Sequence, residues 1–331
     1  MVSKAPSAPR CAAIVGSYLS GKTTLFESIL HTCGATNRRG SVSDGNTVGD
    51  SSPEARAREM SVEMNVATVD YLGDEWTFID CPGSVELQQD TIGAMMVADA
   101  AIVVCEPGQE RALAVTRLMK ELDALGVPYL IYINKMDLPE AHVKNTLEAL
   151  QGMTERPLIL REVPIREDNL VTGFIDLVSE RAYQWEDGAP SKLIEVPDSA
   201  NGRTEEERTQ MLESLADFND DLLEQLLEDV IPETDEVYQN LTKDLQESAI
   251  VPVFFGSAEH ENGVVRLLKA LRHETPEYTV SLDRLGMAAE GEAVAQVFKT
   301  QNGAQSGKLS LARIWRGEFT DGLHVNGTRV S

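Results

Sequence analysis

The sequence predicts an α/β protein: a mostly parallel sheet with helices on both faces, an α+β insert, and the start of an antiparallel β-barrel. Three observations predict it. Short apolar runs alternate with helical patterns from residue 10 to about 156, and again after 249. Strands that are apolar almost without interruption belong to a parallel sheet covered on both faces. Between these stretches the alternation breaks, and after about 291 short alternating strands with Gly-rich turns take over, as in a barrel.

Residues 1–9, rich in Pro, Ser and Ala, read as a loose tail. Strands are expected at 10–16, 61–72, 76–80, 100–105, 129–134 and 250–256, and helices at 21–33, 86–98, 110–125, 139–151 and 264–273. Residues 157–187 look like extended pairs, with Gly173, Asp187 and Gly188 as turn signals. One long amphipathic helix is expected at about 204–231, with Met211, Leu212, Leu215, Phe218, Leu222, Leu223, Leu226 and Leu227 on its apolar face. The parallel pattern resumes after 249, so 157–249 reads as an insert within a domain at 10–275. Residues 276–290 read as a linker, and 291–331 as the first part of a barrel domain. About 40 residues are too few to bury a core, so the chain is expected to be a fragment that stops inside a domain.

The chain has 331 residues, 54 Asp and Glu against 29 Lys and Arg, and a formal net charge of −25. Such a balance argues against holding nucleic acid by general phosphate neutralisation, though it leaves local RNA contacts open. Residues 201–250 hold 15 acids against three bases. The four cysteines show no zinc-type spacing and read as reduced structural thiols of a cytoplasmic protein. No apolar run approaches the length of a membrane span. The six apolar residues after Arg10 run into a phosphate-loop motif and are too short for a signal peptide.

Gly16-Ser17-Tyr18-Leu19-Ser20-Gly21-Lys22-Thr23 fits G-x4-G-K-[ST] between an expected strand and an expected helix. The glycines let backbone N–H groups wrap a phosphate, and the helix start favours its charge. Lys22 would reach the β- and γ-phosphates and the Thr23 hydroxyl would ligate Mg²⁺. Gly16, Leu19, Ser20, Gly21 and Thr24 complete the expected nucleotide contacts. Asp80-Cys81-Pro82-Gly83 closes a strand 57 residues after Thr23. Alone it marks only a turn. Beside a phosphate loop, Asp80 can hold Mg²⁺ through water and Gly83 can offer its N–H to a γ-phosphate.

Asn134-Lys135-Met136-Asp137 follows an apolar strand. A carboxylate at Asp137 can accept from guanine N1–H and the 2-amino group, a donor pair adenine lacks, so GTP is selected over ATP. Lys135 could lay its stem on the base, and Asn134 could brace the phosphate loop. Gly256-Ser257-Ala258 closes the last sheet strand. The Ala258 N–H could bind guanine O6, or Ser257 could simply cap a helix.

These motifs, in this order, resemble those of translational GTPases, most closely elongation factor G. The resemblance covers essentially the whole chain. It implies GTP and GDP binding, Mg²⁺, GTP hydrolysis, and a ribosomal partner through RNA and the stalk protein. It implies a cytoplasmic protein with no membrane or DNA partner, and a monomer is expected. Thr172-Gly173-Phe174-Ile175-Asp176-Leu177-Val178 is similar to the family's T-G-V-V-D-L-V within the inserted subdomain. The chain from Gln296 resembles the start of the second domain. Asp44-Gly45 to Arg58-Glu59-Met60-Ser61-Val62 resembles the first switch, which puts Ser61 where the family has a Mg²⁺-ligating Thr. A plain loop serine is the alternative there.

Three departures stand out. Ser84 occupies the family's catalytic His position, and a hydroxyl carries no comparable charge at neutral pH. Leu19 replaces an Asp associated with a monovalent cation. Glu59 replaces the switch Gly. They point to a divergent relative of elongation factor G, with catalysis resting on Lys22, Asp80 and Gly83 and a low intrinsic rate. Three functions remain open on sequence: a GTP hydrolase acting on the ribosome, a guanine-nucleotide switch with little hydrolysis, and a release or tetracycline-protection type of translational GTPase or a non-ribosomal member. The acidic helix is either a solvated face or a partner surface.

Overall fold

The computed structural model describes residues 9–50, 52–139, 141–186, 188–303, 307–325 and 328–329. The expected tail therefore lies outside the described residues except for Pro9, as does the turn residue Asp187. Strand β1 (Arg10–Gly16) leads into helix α1 (Lys22–Thr32), and the short α2 (Pro53–Arg58) precedes a hairpin of β2 (Asn65–Tyr71) and β3 (Asp74–Asp80). Leu72 and Gly73, both at positive φ, make the two-residue turn, and Leu72 does so without the glycine or asparagine usual there. Then come α3 (Gln88–Val97), β4 (Ala100–Cys105), α4 (Gln109–Leu113), α5 (Thr116–Leu125), β5 (Tyr129–Ile133), α6 (Val143–Gln151) and β6 (Leu158–Leu160). Strands β7 (Glu162–Glu167), β8 (Leu170–Asp176), β9 (Arg181–Glu186) and β10 (Ala189–Ile194) form a separate antiparallel sheet. Helices α7 (Asn201–Ala216), α8 (Asp220–Leu227) and α9 (Thr234–Gln246) follow, and the chain returns through β11 (Val251–Phe255) and α10 (Val264–Glu274). After α11 (Tyr278–Arg284), β12 (Val294–Gly303) pairs with β13 (Gly307–Arg316).

The main sheet has the order β2-β3-β1-β4-β5-β11-β6, parallel except for β2. Every residue of β1, β4, β5 and β11 is buried, as a sheet covered on both faces requires. The C-terminal ends of β1, β3, β5 and β11 carry the four expected motifs. This edge is where ligands of open α/β sheets bind.

Several elements differ from expectation. The strand expected from 61 begins at Asn65, because Ser61 is drawn into contacts with α1. The helix expected at 110–125 is two helices, and that expected from 139 begins at Val143. The long helix at 204–231 breaks at Asn219, whose side chain accepts from the N–H groups of Asp221 and Leu222 and starts a new helix. Met211, Leu212, Leu215 and Leu222 are buried as expected, but Phe218, Leu223 and Leu227 are exposed. Helix α9 was not expected, and α11 occupies residues read as linker. Residues 158–160 pair with β11 in the main sheet, so the separate sheet begins only at Glu162.

Gly173 explains one glycine of the insert: a Cβ there would lie 2.2 Å from the Tyr183 carbonyl oxygen on β9. The insert is tied to the core by buried charges. Arg161 pairs with Glu274, and Arg266 sits 2.7 Å from Asp176.

Another buried cluster joins β1 to β3 and α10. Arg10 Nη2 donates to Asp74 Oδ2 at 2.9 Å, the guanidinium lies 4.3 Å from the Trp76 ring centre, and Arg272 Nε is 3.2 Å from the same carboxylate. Removing Asp74 takes this shared counter-charge from two buried guanidinium groups, which keep their carbonyl acceptors. Asp74→Ala should therefore lower the unfolding free energy by about 3–5 kcal/mol, read as a shifted urea midpoint.

Candidate functional site

The phosphate loop is shaped by close approaches. A Cβ on Gly16 would meet the Val104 carbonyl oxygen at 2.2 Å, and one on Gly21, at φ 88°, would meet Asn134 Nδ2 at 2.2 Å. Lys22 is buried and donates to the Ser17 carbonyl at 2.8 Å, so its amine lies back across its own loop. Burial lowers its pKa, while Asp80 opposes the shift. Helix α1 has no side-chain cap and no acid in its first turn, which leaves its N–H groups to an anion. Gly83 approaches from β3: a Cβ there would lie 2.4 Å from Lys22 Nζ. Leu19 is exposed, at φ 60°, and Thr24 is half-buried in the first turn of α1.

Thr23, Ser61 and Asp80 come together. Thr23 Oγ1 donates to Asp80 Oδ2 at 2.8 Å and stands 2.9 Å from Ser61 Oγ. Ser61 donates to Asp50 Oδ2 at 3.1 Å, and Asn65 donates to Asp50 Oδ1 at 3.1 Å. Burial pushes the Asp80 carboxyl up to about 7, although Lys22 and the Thr23 hydroxyl pull the other way.

This cluster fits Mg²⁺. The Thr23 and Ser61 hydroxyls, hydrogen-bonded to each other at 2.9 Å, and the Asp80 carboxylate are hard oxygen donors of the kind Mg²⁺ takes. Among the described residues, no group of three or more His, Cys, Asp or Glu is placed to hold a metal. A cation here would lean on hydroxyls, one carboxylate, water and phosphate, which is how Mg²⁺ is usually held.

On the base side, the Asn134 amide joins loops from three strands. Its Nδ2 donates to the Ser20 carbonyl at 2.9 Å, and its Oδ1 accepts from the Ala258 N–H at 2.8 Å. The second bond differs from expectation, because the donor assigned to guanine O6 is already engaged. Lys135, at φ 60°, donates to the Leu19 carbonyl at 2.8 Å and pairs with Glu106. Its stem therefore spans from the base loop to the phosphate loop.

Four buried side-chain oxygens in the motifs have no hydrogen-bond partner: Ser20 Oγ, Asp80 Oδ1, Asp137 Oδ1 and Ser257 Oγ. Such orphans are costly unless a ligand satisfies them. They belong to the phosphate-loop, metal-side and base-side motifs.

Sequence reasoning missed Glu27, Asp50 and Glu106. Glu27, fully buried on α1, accepts from Val48 N–H at 2.7 Å and Gly49 N–H at 3.3 Å, and so fixes the segment ahead of Ser61. An acid on the apolar face of α1 was its available signal. Glu106, directly after β4, holds Lys135 and stands 3.1 Å from Arg111. Asp50 had no local signal.

The departures are also placed. Ser84 Oγ donates to Glu86 Oε2 at 3.2 Å. Glu59 caps α2 at φ 50°, ψ 38°, a left-handed conformation in which glycine is the unstrained residue. Burial pushes the Cys11 and Cys105 thiols up to about 12, which fits inert core residues. Among the described residues no helix is long and apolar enough to cross a membrane.

Comparison with known proteins agrees with this geometry. The chain is 44% identical over 323 residues to an elongation factor G-like protein of Synechocystis sp., covering 97% of this chain and 48% of that one. It is 29% identical to elongation factor G of Thermotoga petrophila, covering 94% and 47%, and 28% identical to mitochondrial ribosome-releasing factor 2 of Mus musculus, covering 93% and 41%. A crystal structure of a protein from Thermus thermophilus superposes with a TM-score of 0.83 at 29% identity, over 95% of this chain and 46% of that one. The chain spans about half the length of the curated relatives it matches. The elongation factor Tu GTP binding domain family matches residues 8–277, and the chain belongs to that family, as a translational GTPase close to elongation factor G.

Proposed function

We propose that the protein binds GTP and GDP with Mg²⁺ and couples GTP hydrolysis to a ribosomal step such as translocation. The observation that carries the nucleotide reading is the Asn134 amide, which joins the phosphate loop at Ser20 to the base-side turn at Ala258. The names of the elongation factor and ribosome-releasing relatives support the ribosomal part. Residues 10–275 form the GTPase unit, 157–249 its insert, 276–290 the connection and 291–331 the opening of the second domain. The protein works in the cytoplasm as a monomer, with ribosomal RNA and the stalk protein as its contacts.

Gly16, Leu19, Ser20, Gly21 and Thr24 wrap the phosphates, and Lys22 swings from the Ser17 carbonyl to meet their charge. Thr23 and Ser61 offer hydroxyls to the cation, and Asp80 holds its water. Mg²⁺, when bound, neutralises charge on the phosphates and on the transition state. Gly83 presents its N–H to the terminal phosphate, where a side chain would collide with Lys22. Asp137 reads the guanine edge, Lys135 lies along the base, and Ser257 and Ala258 close the far side with Asn134.

A second reading, a nucleotide switch with weak or no hydrolysis, is favoured by Ser84. Its hydroxyl is spent on Glu86, and it offers no imidazole to orient an attacking water. A low intrinsic rate belongs to both readings.

Calorimetric titration tests the site. GDP with Mg²⁺ should bind, and ADP should bind at least about a hundredfold more weakly, since adenine leaves the Asp137 carboxylate unpaired. Equal affinities would overturn the guanine assignment. Ser84→His should raise ribosome-stimulated GTP turnover by about tenfold or more. An unchanged rate removes Ser84 as the limit.

A further inference from the structure

The chain between α1 and α2 reaches the turn that ends the base side of the site. Arg39 Nη1 donates to the Ala258 carbonyl at 3.1 Å, and Nη2 donates to Glu259 Oε1 at 2.8 Å. Ser28 Oγ, buried on α1, donates to the same carbonyl at 2.6 Å. One turn further along α1, His31 Nδ1 stands 2.5 Å from Glu261 Oε1. The turn is therefore gripped on both sides, by Asn134 at its N–H and by α1 and Arg39 at its carbonyl. Farther along, the segment that carries Arg39 supplies Asp50, which accepts from Ser61 beyond α2.

We propose that Arg39 is a positioning residue for the guanine-side turn, holding Ala258 and Glu259 against α1 and thereby slowing release of bound guanine nucleotide. The proposal rests on the guanine-nucleotide reading above. The carbonyl contact matters more than the ion pair, because Glu259 is 61% exposed and a surface pair is screened by water. A charged donor to a part-buried carbonyl is stronger than a neutral one. Ser28 alone leaves the carbonyl with one neutral donor and the turn with one fewer tether. A looser turn loses its register with the base before the phosphates are free, so the effect falls on dissociation rather than association.

The test is stopped-flow release of a fluorescent GDP analogue from the wild-type chain and from Arg39→Ala, Arg39→Met and Arg39→Lys. Ala and Met should each speed release about tenfold, the worth of one charged hydrogen bond, and Lys should recover most of the loss. Met keeps the side-chain length and decides the matter if truncation to Ala impairs folding. Release within about twofold of wild type for the donorless variants overturns the proposal, as does a Lys variant no slower than Met, which would show that the cationic donor contributes nothing. If the wild-type chain binds no GDP, the parent reading falls and the proposal with it. Binding with unaltered release removes the proposal alone.

Discussion

The site depends on one side-chain amide. Asn134 sits at the end of β5 and spends its donor on the Ser20 carbonyl and its acceptor on the Ala258 N–H. Three loops that are far apart in sequence are thereby fixed to one another. The arrangement leaves no room for a side chain at residue 21, because a Cβ there would strike the amide nitrogen. A binding site held in this way does not spend ligand affinity on ordering its own loops.

The metal side is built differently. There the fixed parts are hydroxyls and carboxylates in a chain from Asp80 through Thr23 and Ser61 to Asp50. Burial pushes the Asp80 carboxyl up to about 7, while Lys22 and the Thr23 hydroxyl pull it down. The departures at Leu19, Glu59 and Ser84 leave Asn134, Lys135 and Asp137 in place, so the proposed recognition and the proposed hydrolysis rest on different residues. The large net negative charge has its densest stretch on the insert helices.

Much of this was legible in the sequence, for a physical reason. The motif residues act through backbone geometry and short-range contacts at strand ends, so residue type and spacing carry them. The continuous apolar runs of β4, β5 and β11 likewise follow from burial on both faces. What escaped was set by partners distant in sequence. Glu27, Asp50 and Glu106 have meaning only beside Val48, Ser61 and Lys135. The break at Asn219 escaped because the apolar period continues across it, while a single side chain ends one helix and starts the next. Helix α11 hid behind the assumption that a short segment between domains is linker; Ser281, donating to Asp99 at 2.5 Å, ties it to the core.

The central claim is that Asp137 reads guanine beside loops that Asn134 ties together. Its most direct test is a change of base preference in Asp137→Asn, measured by equilibrium binding of guanosine and xanthosine diphosphates. The carboxylate accepts from two donors, whereas the amide accepts one and donates one, which matches the N1–H and 2-oxo group of xanthine. The guanine reading predicts that GDP affinity falls about a hundredfold or more while xanthosine diphosphate becomes the tighter ligand. A variant that still prefers GDP would contradict it.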